Sequence, residues 1–263
     1  MFIKKIIKRA RYKKENSILT ARFVDYADLF FNSEITLYPE LLTDIKWNRI
    51  LVLTPHADDE TFGAGGFISA AAAKSKKVKA VVYSDNSESV NGSDAAKTIA
   101  LRSAEFGKAM QIIGVTEKEE LKISPVSFLV SKELIEKTKS IISKFTPDLI
   151  LLPSFIDNHE EHKILNRILA DGLDSSSEID IMLFEVWTTG SPNVIVNIST
   201  EMNKKIEAIK CYKSQLDYID YESAIKGLNK YRSIYHFQGK EFCEAFMLLN
   251  QSQYINFFRR FYK

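Results

Sequence analysis

The sequence is poor in the residues and runs that mark several classes of protein. Its 263 residues include two cysteines, ten glycines and six prolines, which argues against a disulfide framework, a fibrous repeat and a disordered low-complexity chain. No run of 18 or more apolar residues is present, and the first 14 residues lack the uninterrupted apolar region of a secretion signal. We therefore expect a chain that neither crosses a membrane as a helix nor is exported, and that resides in the reducing cytoplasm.

A net positive charge is also missing from the body of the chain. The net charge is +2, but residues 1–14 contain seven basic and no acidic residues, and Arg259, Arg260 and Lys263 add three at the other end. The remainder has 26 basic against 34 acidic residues. That balance excludes the extended basic surface typical of nucleic-acid binding, so we expect no nucleic-acid partner.

From Arg49 onward, short apolar runs alternate with amphipathic stretches. This pattern is typical of βαβ units around a mostly parallel sheet, and it predicts an α/β fold: a single Rossmann-like domain of three layers. Buried strands are predicted at 50–54, 78–84, 149–153 and 181–187, with a further strand, whose pairing the pattern leaves open, at 194–198. Helices are predicted at 62–76, 94–113, 132–145, 162–173 and 201–214.

Two basic segments flank the predicted domain, which spans residues 48–250. Residues 1–47 are interpreted as a basic N-terminal arm and cap, and residues 251–263 as a basic aromatic C-terminal tail. Residues 1–14 place apolar side chains at helical spacing among lysines and arginines. Such segments suit peripheral contact with an anionic membrane, through 1–14 and 257–263 and at its inner face. The alternative is packing on the body of the protein or on a second subunit of a homo-oligomer, which is the more usual place of an amphipathic segment.

Two clusters of metal-binding residue types follow predicted strands. His56, Asp58 and Asp59 follow the first strand, and His159 and His162 follow the strand at 149–153. Ligands of open parallel sheets bind beyond the carboxyl ends of the strands, so we expect the clusters to meet. Two imidazoles and a carboxylate with an open fourth position match a hydrolytic zinc site. Each cluster by itself also fits a solvated loop or a helix cap.

Together the motifs resemble those of the PIG-L/LmbE family of zinc-dependent N-acetylglucosaminyl deacetylases. Residues 55–60, Pro-His-Ala-Asp-Asp-Glu, resemble the family's Pro-His-Pro-Asp-Asp-Glu signature with Ala57 in place of a proline, and Asp157-x-His159-x-x-His162 resembles its second motif. The resemblance extends over about residues 48–248. Further matches are Gly65-Gly66, Arg102-x-x-Glu105, Lys210-x-x-Lys213-Ser214-Gln215 and Glu244-Ala245-Phe246.

The resemblance implies a hydrolase that removes the acetyl group of an N-acetylglucosamine-type substrate through metal-activated water. It implies that His56, Asp59 and His162 bind zinc, or another divalent metal in its place. Asp58 is then the general base. His159, held as a cation by a nearby acid such as Glu161, would stabilise the oxyanion of the tetrahedral intermediate.

The resemblance also implies which residues contact the substrate, an N-acetyl sugar or sugar conjugate. Arg102 is expected to contact the sugar or its phosphate. Asp85 and Asn86, together with Ser84, stand where the family usually has Thr-Asp-Gly, close to the substrate crevice. This departure leaves the identity of the substrate open.

Two other interpretations fit parts of the sequence. The glycines between Gly63 and Gly66 could form a dinucleotide-binding loop, but the third glycine of that motif is missing at the right offset. A non-catalytic metal-binding or scaffold protein on the same fold, attached to a membrane or partner through its basic ends, is the second. Metal analysis of the purified protein would help to separate the scaffold from the enzyme.

Overall fold

Eight strands form one sheet in the computed structural model, which describes residues 38–90, 94–174 and 178–262. The order across the sheet is β1-β7-β8-β6-β5-β2-β3-β4, and all neighbouring strands are parallel except that β8 runs antiparallel to β6 and β7. The strands are β1 (Glu40–Leu41), β2 (Arg49–Thr54), β3 (Lys77–Ser84), β4 (Glu117–Ile123), β5 (Leu149–Pro153), β6 (Asp180–Phe184), β7 (Val194–Asn197) and β8 (Cys243–Asn250).

Helices cover both faces of this sheet, which explains why its central strands are continuous apolar runs. Alternate residues of β2 point to opposite faces: Ile50 and Val52 pack into one core, and Leu51 and Leu53 into the other. The described helices are α1 (Asp59–Ala73), α2 (Ala95–Ile113), α3 (Lys132–Phe145), α4 (Glu160–Gly172), α5 (Met202–Ile209), α6 (Lys213–Leu216), α7 (Tyr221–Arg232), α8 (Ile234–Phe237) and α9 (Gln251–Phe261).

The two cores make this a three-layer α/β domain. Side chains of α1, α2 and α5, such as Phe67, Phe106 and Ile209, pack on one face of the sheet. Side chains of α3, α4 and α9, such as Ile141 and Leu169, pack on the other. The predicted α/β, mostly parallel fold is confirmed.

Several predicted elements have different limits in the structure. The strand predicted at 181–187 ends at Phe184, and the helix predicted at 201–214 is two helices separated by residues 210–212. The segment predicted at 194–198 pairs with β1 and β8. Strands β1, β4 and β8 were not predicted. Strand β4 lies at the sheet edge and is rich in Glu and Lys, so it lacks the apolar pattern of a central strand.

The two flanking segments differ in what the structure describes. The predicted amphipathic arm at 1–14 lies outside the described residues. Residues of the predicted C-terminal tail form α9, in which Tyr254 and Phe258 are buried in the core. No helix in the described part of the chain is both long and apolar enough to cross a membrane. Peripheral membrane contact through either end stays a prediction.

Close packing of α1 on its surroundings generates a prediction about two glycines. A Cβ at Gly66 would lie 2.7 Å from side-chain atoms of Ile198, whereas one at Gly227, in α7, would meet no described heavy atom within 4 Å. We expect Gly66→Ala to lower the free energy of unfolding by about 1–3 kcal/mol through overpacking. Gly227→Ala should raise it by about 0.5–1 kcal/mol because alanine favours the helix. Urea denaturation of both variants measures this, and equal shifts would contradict it.

Candidate active site

A cavity of about 350 Å³ lies at the carboxyl ends of β2, β3, β5 and β6. These strands are parallel to one another, so the segments that follow them meet at one edge of the sheet. The lining residues are His56, Asp58, Asp59, Phe62, Ser84, Asn86, Glu88, Ser89, Arg102, Pro125, His159, Glu161, Val186, Trp187, Gln215 and Tyr221.

The structure brings together His56, Asp59 and His162, the three predicted metal ligands. One carboxylate oxygen of Asp59, Oδ2, lies 3.2 Å from Nδ1 of His56 and 3.2 Å from Nε2 of His162. Asp59 begins α1, and His162 lies in the first turn of α4. The first turns of two helices therefore bring the side chains of Asp59 and His162 into contact.

A third imidazole, that of His159, lies in the same place. Ring nitrogens of His56, His159 and His162 lie within 4.8 Å of one another. Nδ1 of His159 is buried and has no hydrogen-bond partner among the described residues. Three imidazoles beside the Asp59 carboxylate are donors that zinc accepts, so the residues present fit a divalent cation. His159 is a fourth candidate ligand beside the three predicted ones.

Carboxylates set the charge of the histidines. Burial by itself would lower the pKa of His56, but Asp59 and Glu161 raise it to about 10. Burial likewise opposes protonation of His162, and Asp59 with Asp157 raises its pKa to about 9. Burial disfavours the Asp59 carboxylate, yet the two imidazoles hold its pKa well below its usual range. The carboxylates around these imidazoles therefore stabilise positive charge on them.

The neighbouring carboxylate, Asp58, has a different partner. Nη2 of Arg102 donates to its Oδ2 at 2.7 Å. Burial raises the pKa of Asp58 to about 6, although Arg102 opposes the shift. The backbone of Asp58 adopts φ 150° and ψ −31°. Non-glycine residues rarely adopt this conformation, and such backbone strain is concentrated at functional sites. Two adjacent carboxylates are thus directed to two separate sets of cations.

Arg102 is 1% exposed and lies in a network of side chains that the sequence motifs had left scattered. Nη1 of Arg102 donates to Oε2 of Glu105 at 3.1 Å. Glu105 in turn accepts from the backbone N–H of Ser214 at 2.8 Å and from its hydroxyl at 2.7 Å. Arg102 therefore positions Asp58. Arg102 also lines the cavity, and its predicted contact with the sugar stays a prediction.

The predicted pairing of His159 with Glu161 differs from the structure. Oε2 of Glu161 contacts Nε2 of His56 instead. Burial lowers the pKa of His159, and the charges of His56 and His162 lower it further. His159 is therefore a neutral imidazole here, not the cation that we expected.

Asp85 and Asn86 have separate places. Asn86 lines the cavity, and its Oδ1 accepts from the backbone N–H of Ala57 at 3.2 Å. Asp85 is not among the described residues that line the cavity, and its Oδ1 accepts from the backbone N–H of Ser87 at 2.9 Å. Asp85 thus stabilises the turn after β3, which positions Asn86.

One residue absent from the predicted site, Asp157, connects its parts. Its Oδ1 accepts from the backbone N–H of His159 at 2.9 Å and lies 3.4 Å from Nδ1 of His162. Its Oδ2 accepts from the backbone N–H of Trp187 at 2.9 Å. A carboxylate behind a metal-binding histidine commonly fixes the orientation of the ring, and the place of Asp157 in the second motif was the signal for this role.

Glu60 and the aromatic residues Tyr221 and Trp187 were also missed. Glu60 is fully buried and accepts from the Tyr212 hydroxyl at 2.6 Å, and burial raises its pKa to about 7. Burial, followed by the charges of Asp58 and Asp59, raises the pKa of Tyr221 to about 12, so its phenol stays protonated. The strand predicted at 181–187 includes Trp187 as its last residue, and no sequence signal marks Tyr221.

Comparison with known proteins matches this site to a family. Residues 51–172 match the PIG-L family, described as GlcNAc-PI de-N-acetylase. They include the His56 to Asp59 motif and the His159 to His162 motif, and the family resemblance predicted from the sequence is confirmed.

The proteins to which this chain is similar are named for more than one reaction. The chain is 26% identical over 198 residues to the diacetylchitobiose deacetylase of Thermococcus kodakarensis, which covers 67% of this chain and 72% of that protein. The N,N'-diacetylchitobiose deacetylase of Pyrococcus horikoshii has a similar structure, with a TM-score of 0.65 and 22% identity over 80% of this chain and 86% of that one.

A third relative shows that the fold is compatible with different chemistry. GalB, the 4-carboxy-2-hydroxymuconate hydratase of Pseudomonas putida, has a TM-score of 0.64 and 18% identity, covering 76% of this chain and 96% of that one. At such identities the two solved structures show the fold alone. Function has to be argued from the side chains of the site.

The raised pKa values of the histidines generate a prediction about metal binding. Without a cation, His56 and His162 have pKa values of about 10 and about 9, so both are protonated at pH 7. Each must lose a proton to bind a metal, and we expect about two protons released per zinc bound at pH 7. Affinity should therefore rise with pH up to about 10, the higher of the two pKa values. Calorimetry in buffers of different protonation enthalpy measures the release.

Glu161→Gln provides a matched variant for that measurement. It removes one of the carboxylates that raise the pKa of His56, so fewer protons should be released at the same pH. Stoichiometric zinc binding without any proton release in the wild-type protein would contradict the prediction.

Proposed function

We propose that this protein is a zinc-dependent deacetylase that removes the acetyl group from an N-acetylglucosamine-type sugar or sugar conjugate. The observation that carries the proposal is the convergence of His56, Asp59 and His162 beside a cavity where Asp58 is held apart by Arg102. The match of residues 51–172 to the PIG-L family and the similarity to a diacetylchitobiose deacetylase support the substrate class.

His56, Asp59 and His162 would hold the cation, with His159 beside them. Imidazole and carboxylate donors suit zinc, and other divalent metals can compete for the same ligands. A bound cation would supply Lewis-acid polarisation of the acetamide carbonyl and a water of lowered pKa.

Asp58 is placed to move the protons of the reaction. Arg102 occupies its Oδ2, which leaves Oδ1 to accept a proton from the water that attacks the acetamide carbonyl. The same oxygen then delivers that proton to the nitrogen as the carbon–nitrogen bond breaks, so that acetate and a free amine result. A carboxyl with a pKa of about 6 is ionised at neutral pH and still basic enough to carry a proton.

His159 is placed to stabilise the charge that develops on the carbonyl oxygen. Its ring lies 4.6 Å from that of His56, measured between centroids. As a neutral imidazole it carries one N–H group, and a donor aimed at a developing oxyanion stabilises the transition state. Asp157 holds its backbone N–H and thereby fixes the loop that presents the ring.

The proposal also covers the location of the protein and the scaffold alternative. We propose the cytoplasm, because Cys211 and Cys243 are free thiols in the described part of the chain. The contacts of Asp58 with Arg102 and of Asp59 with His162 support the enzyme over the scaffold alternative.

The separate roles of the adjacent aspartates generate a prediction. Asp58→Asn should keep the metal and lose about 10²- to 10⁴-fold in turnover, because it removes proton transfer without removing a ligand. Asp59→Asn should lose the metal. Elemental analysis and acetate release measure both, with thermal unfolding as a control for folding. An Asp58→Asn protein without metal and an Asp59→Asn protein with it would reverse the assignment.

A substrate panel tests the reaction itself. The metal-loaded protein should release acetate from N-acetylglucosamine, diacetylchitobiose or a conjugated N-acetylglucosaminide, and His162→Ala should release none. Panel members that share the acetamide and differ in the group attached to the sugar identify the preferred conjugate. Failure of the metal-loaded protein to deacetylate every member would refute the proposal.

A further inference from the structure

An exposed tryptophan stands at the edge of the cavity. Trp187 is 51% exposed and lines the cavity, whereas the other tryptophan of the chain, Trp47, is 3% exposed and packs in the core. A large aromatic side chain next to a cavity is a favourable surface for a ligand, because covering it removes apolar area from water.

Trp187 belongs to a row of three rings along one side of the cavity. Phe62 stacks on Tyr221 with a centroid distance of 4.5 Å and an interplanar angle of 25°. Trp187 meets Tyr221 edge-on at 5.9 Å and 72°. All three side chains line the cavity. We call Phe62, Tyr221 and Trp187 the aromatic wall.

Polar side chains line the same cavity. They bear hydroxyl and amide groups and belong to Ser84, Asn86, Ser89 and Gln215. A pyranose ring likewise has both kinds of surface, because its C–H bonds form apolar faces while its hydroxyl groups project around the edge. The partly positive C–H groups of such a face are attracted to the negative face of an aromatic ring.

The loop that carries Trp187 is held in place by buried charge. Oδ2 of Asp157 accepts from the backbone N–H groups of Trp187 at 2.9 Å and Thr188 at 3.2 Å. The other oxygen of Asp157 accepts from the backbone of His159. One carboxylate therefore connects the aromatic wall to the histidines of the proposed metal site.

A second carboxylate, that of Glu185, holds the other end of this loop. Glu185 accepts from the backbone N–H of Gly190 at 2.7 Å and from Nε of Arg232 at 3.0 Å. Arg232 also donates to the carbonyl of Gly190 at 3.0 Å. A surface positioned in advance binds a ligand with less loss of conformational entropy.

We propose that the aromatic wall binds the sugar through Trp187 and Tyr221, and that the substrate is a closed-ring N-acetyl sugar whose C–H face lies against Trp187. This inference rests on the proposed deacetylase function and deepens it by naming specificity-determining residues. It makes the ring, and not the acetamide by itself, the feature that the site recognises.

Trp187 supplies a spectroscopic test that does not depend on turnover. The protein is titrated with methyl N-acetyl-β-glucosaminide, whose ring is closed, and with N-acetylglucosaminitol, which has the same acetamide on an open chain. We expect the glycoside to change the tryptophan emission at much lower concentration than the alditol. Trp187→Phe should abolish the change, because Trp47 is buried away from the cavity.

Kinetics of three variants test the same inference on acetate release. Trp187→Ala should raise KM by about tenfold or more with little change in kcat, as expected for lost stacking. Trp187→Phe should restore most of the affinity. Tyr231→Ala, which removes a 61% exposed aromatic ring that does not line the cavity, should leave KM unchanged. Circular dichroism checks that each variant is folded.

The outcomes separate this inference from the proposed function. If the glycoside changes the Trp187 emission but no acetate is released from any sugar, the wall is supported and the deacetylase proposal fails. If acetate is released while Trp187→Ala leaves KM unchanged, or the open-chain alditol binds as well as the glycoside, the proposal that the aromatic wall binds the sugar is overturned.

Discussion

Two adjacent buried carboxylates at the end of β2 are the constraint on which the site depends. Ionised groups are expensive to bury unless each has a partner of opposite charge. Asp59 has the imidazoles of His56 and His162, and Asp58 has the guanidinium of Arg102. The unusual backbone of Asp58 separates the two side chains, so one can hold a cation while the other carries a proton.

The partners of these carboxylates require support of their own, and this explains residues far from β2. Arg102 is oriented by Glu105, which is bound by Ser214 at the start of α6. Asp157 contacts the His162 ring, the backbone of His159 and the Trp187 loop. Motifs that are scattered along the sequence are therefore parts of one network of charges, and the aromatic wall is attached to the same network.

The sequence was sufficient for the central strands and for the place of the site. Strands β2, β3 and β5 contain the apolar runs 50–53, 80–83 and 149–153 because both faces of the sheet are covered, so their limits were predicted closely. Strand β8 was missed because Glu244 interrupts its apolar run. That carboxylate is fully buried, where it binds Lys205 at 2.6 Å and two backbone N–H groups of α1, and no local pattern announces such compensation.

What the sequence by itself determined is the fold class, the edge of the sheet where the site lies and the residue types that meet there. Parallel strands make this possible, since their carboxyl ends share one edge. Only the tertiary structure decided that Arg102 pairs with Asp58, that Glu161 contacts His56 rather than His159, and that Trp187 forms a wall of the cavity. Those pairings depend on distances of a few ångströms between residues 44 or 105 positions apart, and such distances are set by helix packing.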